Sequence, residues 1–334
     1  MRKENIILKV NSNITKNVFT DNLFIFYPLW FPIIYLLVIV NFPSIAPFLF
    51  LSVLFLFAET HFASTWLFFF DRENWKWIKE NSYKLFILPI YLLLAILLIW
   101  KFNNGLVLIF HYLASGWHVT KQSIGIQKLS KNNNFITSFL TYGISFFCLG
   151  IGLANPGILS FRLSDNLVNL ILFTLMIFYL LSIIKISDSG KGFFSFLTGV
   201  FIYLPLLFID NLALATSLGV GMHWCQYLAL MWSIKIKKRN EVRNKMKNEI
   251  KNSSKFFHNL KINLVFVMFY SFVMTYLAYL GMPSQNFINR DYSIFYVIPI
   301  IFQLYHFYID GFIWQFSNKH IKKSVGSYIF SKQT

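Results

Sequence analysis

Five of the seven histidines in this chain, His61, His111, His118, His223 and His306, lie inside apolar runs long enough to cross a bilayer. An imidazole is costly there and marks a metal site, a proton relay or an interhelical hydrogen bond. Each has polar company at helical spacing: Asp310 comes four residues after His306, Gln122 four after His118, Thr65 four after His61, and Gln226 three after His223. Residues three or four apart share a helix face, so these side chains read as groups that fix a ligand's tautomer or as additional ligands. Thiolate-poor, imidazole-rich surroundings suit iron, with copper or zinc as alternatives. Haem between two axial histidines is a further reading of the same donors. Trp66, Trp117, Trp224 and Trp314 lie near the histidines, as walls of a pocket for an apolar substrate or as belt residues at the membrane interface.

The elements that must position these groups are apolar segments at about 23–40, 45–70, 85–100, 106–120, 135–154, 167–186, 193–209, 212–234, 264–281 and 292–316. They predict an all-α fold, a polytopic integral membrane bundle of about ten transmembrane helices forming a single domain over residues 1–334. Hydrophobic residues make up 56% of the chain and mean hydropathy is +0.56, which excludes an ordinary soluble domain. All of the 30 Lys and Arg residues except Lys101, Arg162 and Arg290 fall on one side of this layout. Positive charge is retained in the cytoplasm, so both termini are expected there, with residues 1–22 a cytoplasmic tail and 235–261 a basic cytoplasmic loop against anionic lipid headgroups. The net charge of +17 then needs no nucleic acid, and the multi-pass chain is expected in the bacterial inner membrane. Cys148 and Cys225 are the only cysteines, both in apolar segments, which excludes a disulfide framework and a cysteine zinc motif.

With that orientation, every intramembrane histidine is on an even-numbered segment running toward the cytoplasm. His61, His111, His223 and His306 each lie ~9–12 residues from the basic end, or ~14–18 Å along a helix, against about 15 Å for half a hydrocarbon core. They are the expected metal ligands, sharing one midplane layer. His118, about two turns deeper, is the alternate. Glu59, two residues from His61, turns to a different side, while His258 and His320 fall in basic sequence and take no role.

Thr60-His61-Phe62-Ala63, the pair His111 and His118, and His306-Phe-Tyr-Ile-Asp310 resemble the intramembrane histidine motifs of the Brp/Blh membrane β-carotene dioxygenase family. Residues 23–40 carry no histidine and no Pro-His-Gly element, so the resemblance is confined to later segments. It implies a histidine-ligated iron oxygenase acting on an apolar polyene. The residues themselves point to a membrane metalloenzyme, an oxygenase or dioxygenase with an isoprenoid or lipid substrate, since a midplane centre is reached by apolar molecules and dioxygen more readily than by polar metabolites. Two other classes are open: a proton-coupled transporter that uses the histidines as relays, and a lipid acyltransferase with His118 of Trp117-His118 as base.

Overall fold

The computed structural model describes residues 14–15, 17–130, 135–154, 164–186, 190–246, 259–281 and 294–330, and their regular elements are helices throughout. In chain order these are α1 (Val18–Phe26), α2 (Trp30–Asn41), α3 (Pro43–Phe70), α4 (Trp75–Glu80), α5 (Tyr83–Phe102), α6 (Asn104–Leu129), α7 (Phe135–Ala154), α8 (Asp165–Ile186), α9 (Gly190–Phe201), α10 (Leu212–Met246), α11 (Leu260–Gly281), α12 (Ile294–Ile313) and α13 (Lys319–Ser324).

Among the described residues, five helices are long and apolar enough to cross a membrane: α3, α5, α7, α11 and α12. A sixth span results if α1 and α2, bent by 64° at their junction, count as one. All ten expected segments contain helix, but breaks and polar loads separate them. Pro28 interrupts the first, because proline has no N–H to donate and pushes the preceding Tyr27 out of the helical region, to φ −128° and ψ 46°. The seventh stops at Phe201, short of Pro205, and its 12 residues span only ~18 Å of a core about 30 Å thick. Neither α6 nor α10 passes the same apolarity test. These are the helices that carry His111, His118 and His223.

Two expected boundaries are corrected. Within the expected cytoplasmic tail α1 already begins, at Val18, Ile14 and Asp21 are buried, and the Asp21 carboxylate accepts the Ile14 and Thr15 backbone N–H groups at 2.5 and 2.8 Å. The basic stretch from Lys235 does not begin as a loop, since α10 continues through it to Met246. Lys235 and Lys238 are buried against Asp71, at 2.5 and 2.8 Å, and Lys238 also reaches Glu73 at 2.6 Å. These ion pairs pin the α10 extension to the turn after α3. His258 and most of 247–261 lie outside the described residues.

A wide π-helical turn at Leu54–Ala58 precedes Glu59 and His61 in α3, and such turns recur beside functional groups. Upstream of His223, α10 runs close to its neighbours. A Cβ on Gly219 would meet the Ile202 carbonyl oxygen at 1.8 Å, and one on Gly221 would meet the Phe31 ring at 2.0 Å. Small residues at these positions let α10 approach α2 and the 202–205 segment, which sets the position of His223 in the bundle.

Candidate metal centre

Four helices each present a histidine and, four residues later, a polar side chain: His61 and Thr65 on α3, His118 and Gln122 on α6, His223 and Tyr227 on α10, His306 and Asp310 on α12. Because both tiers converge, the four helices run in the same sense through the site. The histidines are buried, between 0 and 6% exposed. Ligating nitrogens of His61, His118 and His306 lie within 4.8 Å of one another, a group that can hold a metal ion. His223 borders it, with ring centroids 4.9 Å from His61 and 5.7 Å from His118.

The second tier closes on Asp310. Its Oδ1 accepts hydrogen bonds from the Tyr227 hydroxyl at 2.9 Å and the Thr65 hydroxyl at 3.1 Å. Its Oδ2 accepts from Gln122 Nε2 at 2.6 Å and Trp314 Nε1 at 3.2 Å. Four donors fit an ionised carboxylate, which is acceptor-only. Thr65 Oγ1 is also 2.5 Å from the Tyr227 hydroxyl and 2.6 Å from His306 Nδ1. With its single proton given to Asp310, Thr65 accepts from His306 Nδ1–H. That tautomer leaves the His306 Nε2 lone pair bare.

His306 Nε2 makes no hydrogen bond to protein, nor do His118 Nε2, His223 Nε2 or either ring nitrogen of His61. An unsatisfied buried polar atom costs about 1–3 kcal/mol, so a cluster of them is a poor structural device. It is a good ligand set. Asp310 Oδ2 stands 3.7 Å from His306 Nε2 and 3.9 Å from His118 Nε2, near enough to compensate a bound cation's charge.

Other expected residues fall elsewhere. His111 is outside the cluster: its Nε2 is 2.7 Å from Gln303 Oε1, and Gln303 Nε2 donates to Glu59 Oε1 at 3.0 Å. The expected layer differs from this grouping because α6 extends nine residues beyond Thr120, to Leu129, so Lys121 does not mark its end. Gln226 donates to the Ile25 carbonyl oxygen at 2.8 Å instead of orienting a histidine. Thr65 serves His306 on another helix, not His61 on its own. Trp314 joins the Asp310 network, and Trp117 stacks on Tyr142. Trp66 packs against Phe69, Phe302 and Tyr305, and Trp224 is buried in the core. Tyr227 was missed, although its four-residue offset from His223 is the same signal that singled out the other partners. His320 stacks on Trp77 and its Nε2 meets Asn74 Oδ1 at 2.9 Å, away from the cluster.

The histidines stand between two cavities. One, of about 1280 Å³, is mostly apolar and includes His118, His223, Asp310, Trp117 and Trp314 in its wall. The other, of about 100 Å³, is lined by Glu59, His61, His111, His223 and Gln303 among others. Comparisons with protein-family models, with curated proteins and with solved structures find no match to this chain.

Proposed function

We propose that the protein is a membrane-embedded metalloenzyme, an iron-dependent oxygenase of a lipophilic substrate, isoprenoid or lipid, in the inner membrane of a bacterium. The observation that carries this reading is the buried group of three histidines, each with an unpartnered ring nitrogen and with candidate ligand atoms within 4.8 Å of one another. Its resemblance to the Brp/Blh motifs, above all His306 and Asp310, supports the oxygenase class. The apolar wall of the large cavity supports a lipophilic substrate. Lys237 Nζ reaches the carbonyl oxygens of both Ile14 and Tyr328, which supports placing both ends of the chain on one side of the membrane.

In this reading His61, His118 and His306 hold the metal, and His223 is a fourth donor or a group facing substrate. Bound iron would supply activation of dioxygen, the chemistry of sites with open positions. Asp310 balances the cation's charge and, through Thr65, holds His306 in the tautomer that offers Nε2. The surrounding apolar side chains exclude water, and the large cavity brings a substrate chain against His118 and His223. Purified protein is expected to retain near-stoichiometric iron, and to consume dioxygen when given a polyunsaturated or isoprenoid substrate. Metal-free protein after reconstitution with Fe(II) under reducing conditions would reject the reading.

A second reading, a proton-coupled carrier, is favoured by the Glu59–Gln303–His111 hydrogen-bonded chain across three helices. In that case transport into vesicles would depend on His111 as much as on His306.

A further inference from the structure

The wall of the large cavity is chemically uneven along its length. On α6, Lys121 and Lys128 both line it, and their seven-residue spacing puts them on one face. Gln315 and Ser317, just past α12, line it as well. Beyond the histidines and the groups around Asp310, much of the wall is hydrocarbon, with Leu92, Ile96, Ile99, Phe110 and Ala114 supplied by α5 and α6. Among the described residues Asp310 is the only carboxylate in the wall, and four donors already engage it. Among the described residues neither Lys121 nor Lys128 forms an ion pair. Both lysines are exposed, and among the described residues no carboxylate pairs with this cationic end of the cavity.

We infer that this cavity binds a single-chain amphiphile whose anionic head group, carboxylate or phosphate, is held by Lys121 and Lys128 and whose apolar chain runs past His118 toward Phe110. Leu92, Ile99, Phe110 and Trp117 belong to the wall and are also 43 to 55% exposed, so the cavity opens on the flank of the bundle. A lipid enters there without crossing a polar surface. Lys121 is three residues and Lys128 ten residues past His118, or ~4.5 and ~15 Å along the axis. A head group between them puts an interior position of the chain, not its end, beside the histidines. The cavity exceeds the ~300–1,000 Å³ of ordinary small-ligand sites, as a long chain requires. The inference rests on the metalloenzyme reading only for what happens to the bound chain at the histidines. Binding itself depends on the lysines and the apolar wall.

The test is quenching of tryptophan fluorescence in the full chain, in neutral detergent, by 9,10-dibromostearate, by the phosphate ester of the same dibrominated chain, and by its uncharged methyl ester. At least one anionic chain is expected to bind tenfold or more tightly than the methyl ester. The double variant K121Q/K128Q should remove that preference and leave methyl ester binding as it was. Trp117→Phe should lower the quenched fraction, because Trp117 lines the cavity. Equal binding of charged and uncharged chains, an unchanged preference in the lysine variant, or quenching indifferent to Trp117 would each overturn the inference. His306→Ala separates the two levels: loss of metal with the anionic preference intact supports both readings. A protein that never holds metal, yet keeps the preference, sinks the metalloenzyme and leaves the amphiphile site standing.

Discussion

Two buried polar clusters in this molecule are built on opposite plans. At the end of α3, Asp71, Lys235, Lys238 and Glu73 meet in close ion pairs, and none of their atoms is buried without a partner. Burial pushes the Asp71 carboxyl up, but the ammoniums of Lys238 and Lys235 more than reverse this and hold it below its ordinary value. In the middle of α3, ten residues away along the same helix, His61 belongs to a cluster with five unpartnered ring nitrogens. A closed network fastens helices together. An open one, with polar atoms left unsatisfied, has the capacity to hold something that is not protein.

The largest expected effect comes from opening the closed cluster. Asp71→Ala leaves Lys235 buried without its counter-ion and Lys238 with Glu73 alone, a loss of about 3–5 kcal/mol of stability, to be read as a lower thermal unfolding midpoint in detergent at unchanged metal content. Next is the open cluster. His118→Ala removes one of the proposed metal ligands, so metal affinity should fall more than 100-fold, while truncation of this buried side chain should cost the metal-free protein about 2 kcal/mol. Titration with metal and thermal unfolding of the metal-free protein check both halves.

A smaller effect is expected one tier out. Thr65→Val frees His306 Nδ1 and weakens the Asp310 network, and loss of such a partner typically costs 10- to 100-fold in metal affinity. Tyr227→Phe should act in the same direction, more weakly, since it spares the contact to His306. The smallest effect concerns acid. A carboxyl depressed by folding contributes stability that is complete above its unfolded value, near 3.9, and is lost as pH falls through its lower folded value. The Asp71 contribution should therefore persist at pH 5, begin to fall only below about pH 4 and vanish at still lower pH, with Asp71→Asn lacking that acid-dependent component in denaturation curves.

The chemistry-bearing residues were legible because imidazole in an apolar run is rare and expensive. His61, His118, His223 and His306 stand out from sequence alone, as do Asp310, Gln122 and Thr65 at four-residue spacing. Which helix each partner serves was not legible. Spacing places Thr65 on the face of His61, whereas its hydrogen bond runs across to His306, and only packing decides that. The exchange of His118 for His111 has a similar cause: depth was counted from the first lysine after each apolar run, and in α6 that lysine lines a cavity inside a continuing helix. Lys235 and Lys238 read as solvated charges for want of any local sign that Asp71, more than 160 positions earlier, lies opposite. Helix existence was legible in every segment, while the break before Pro205 shortened one of them below membrane-crossing length.

The most direct test of the open cluster compares bound metal, by elemental mass spectrometry, in the native protein and in His118→Ala, His306→Ala and His111→Ala. The expected result is near-stoichiometric iron in the native protein and in His111→Ala, and its loss in the other two variants. Metal lost equally in His111→Ala, or absent from all four proteins after reconstitution, would contradict the assignment of His61, His118 and His306 as a metal centre.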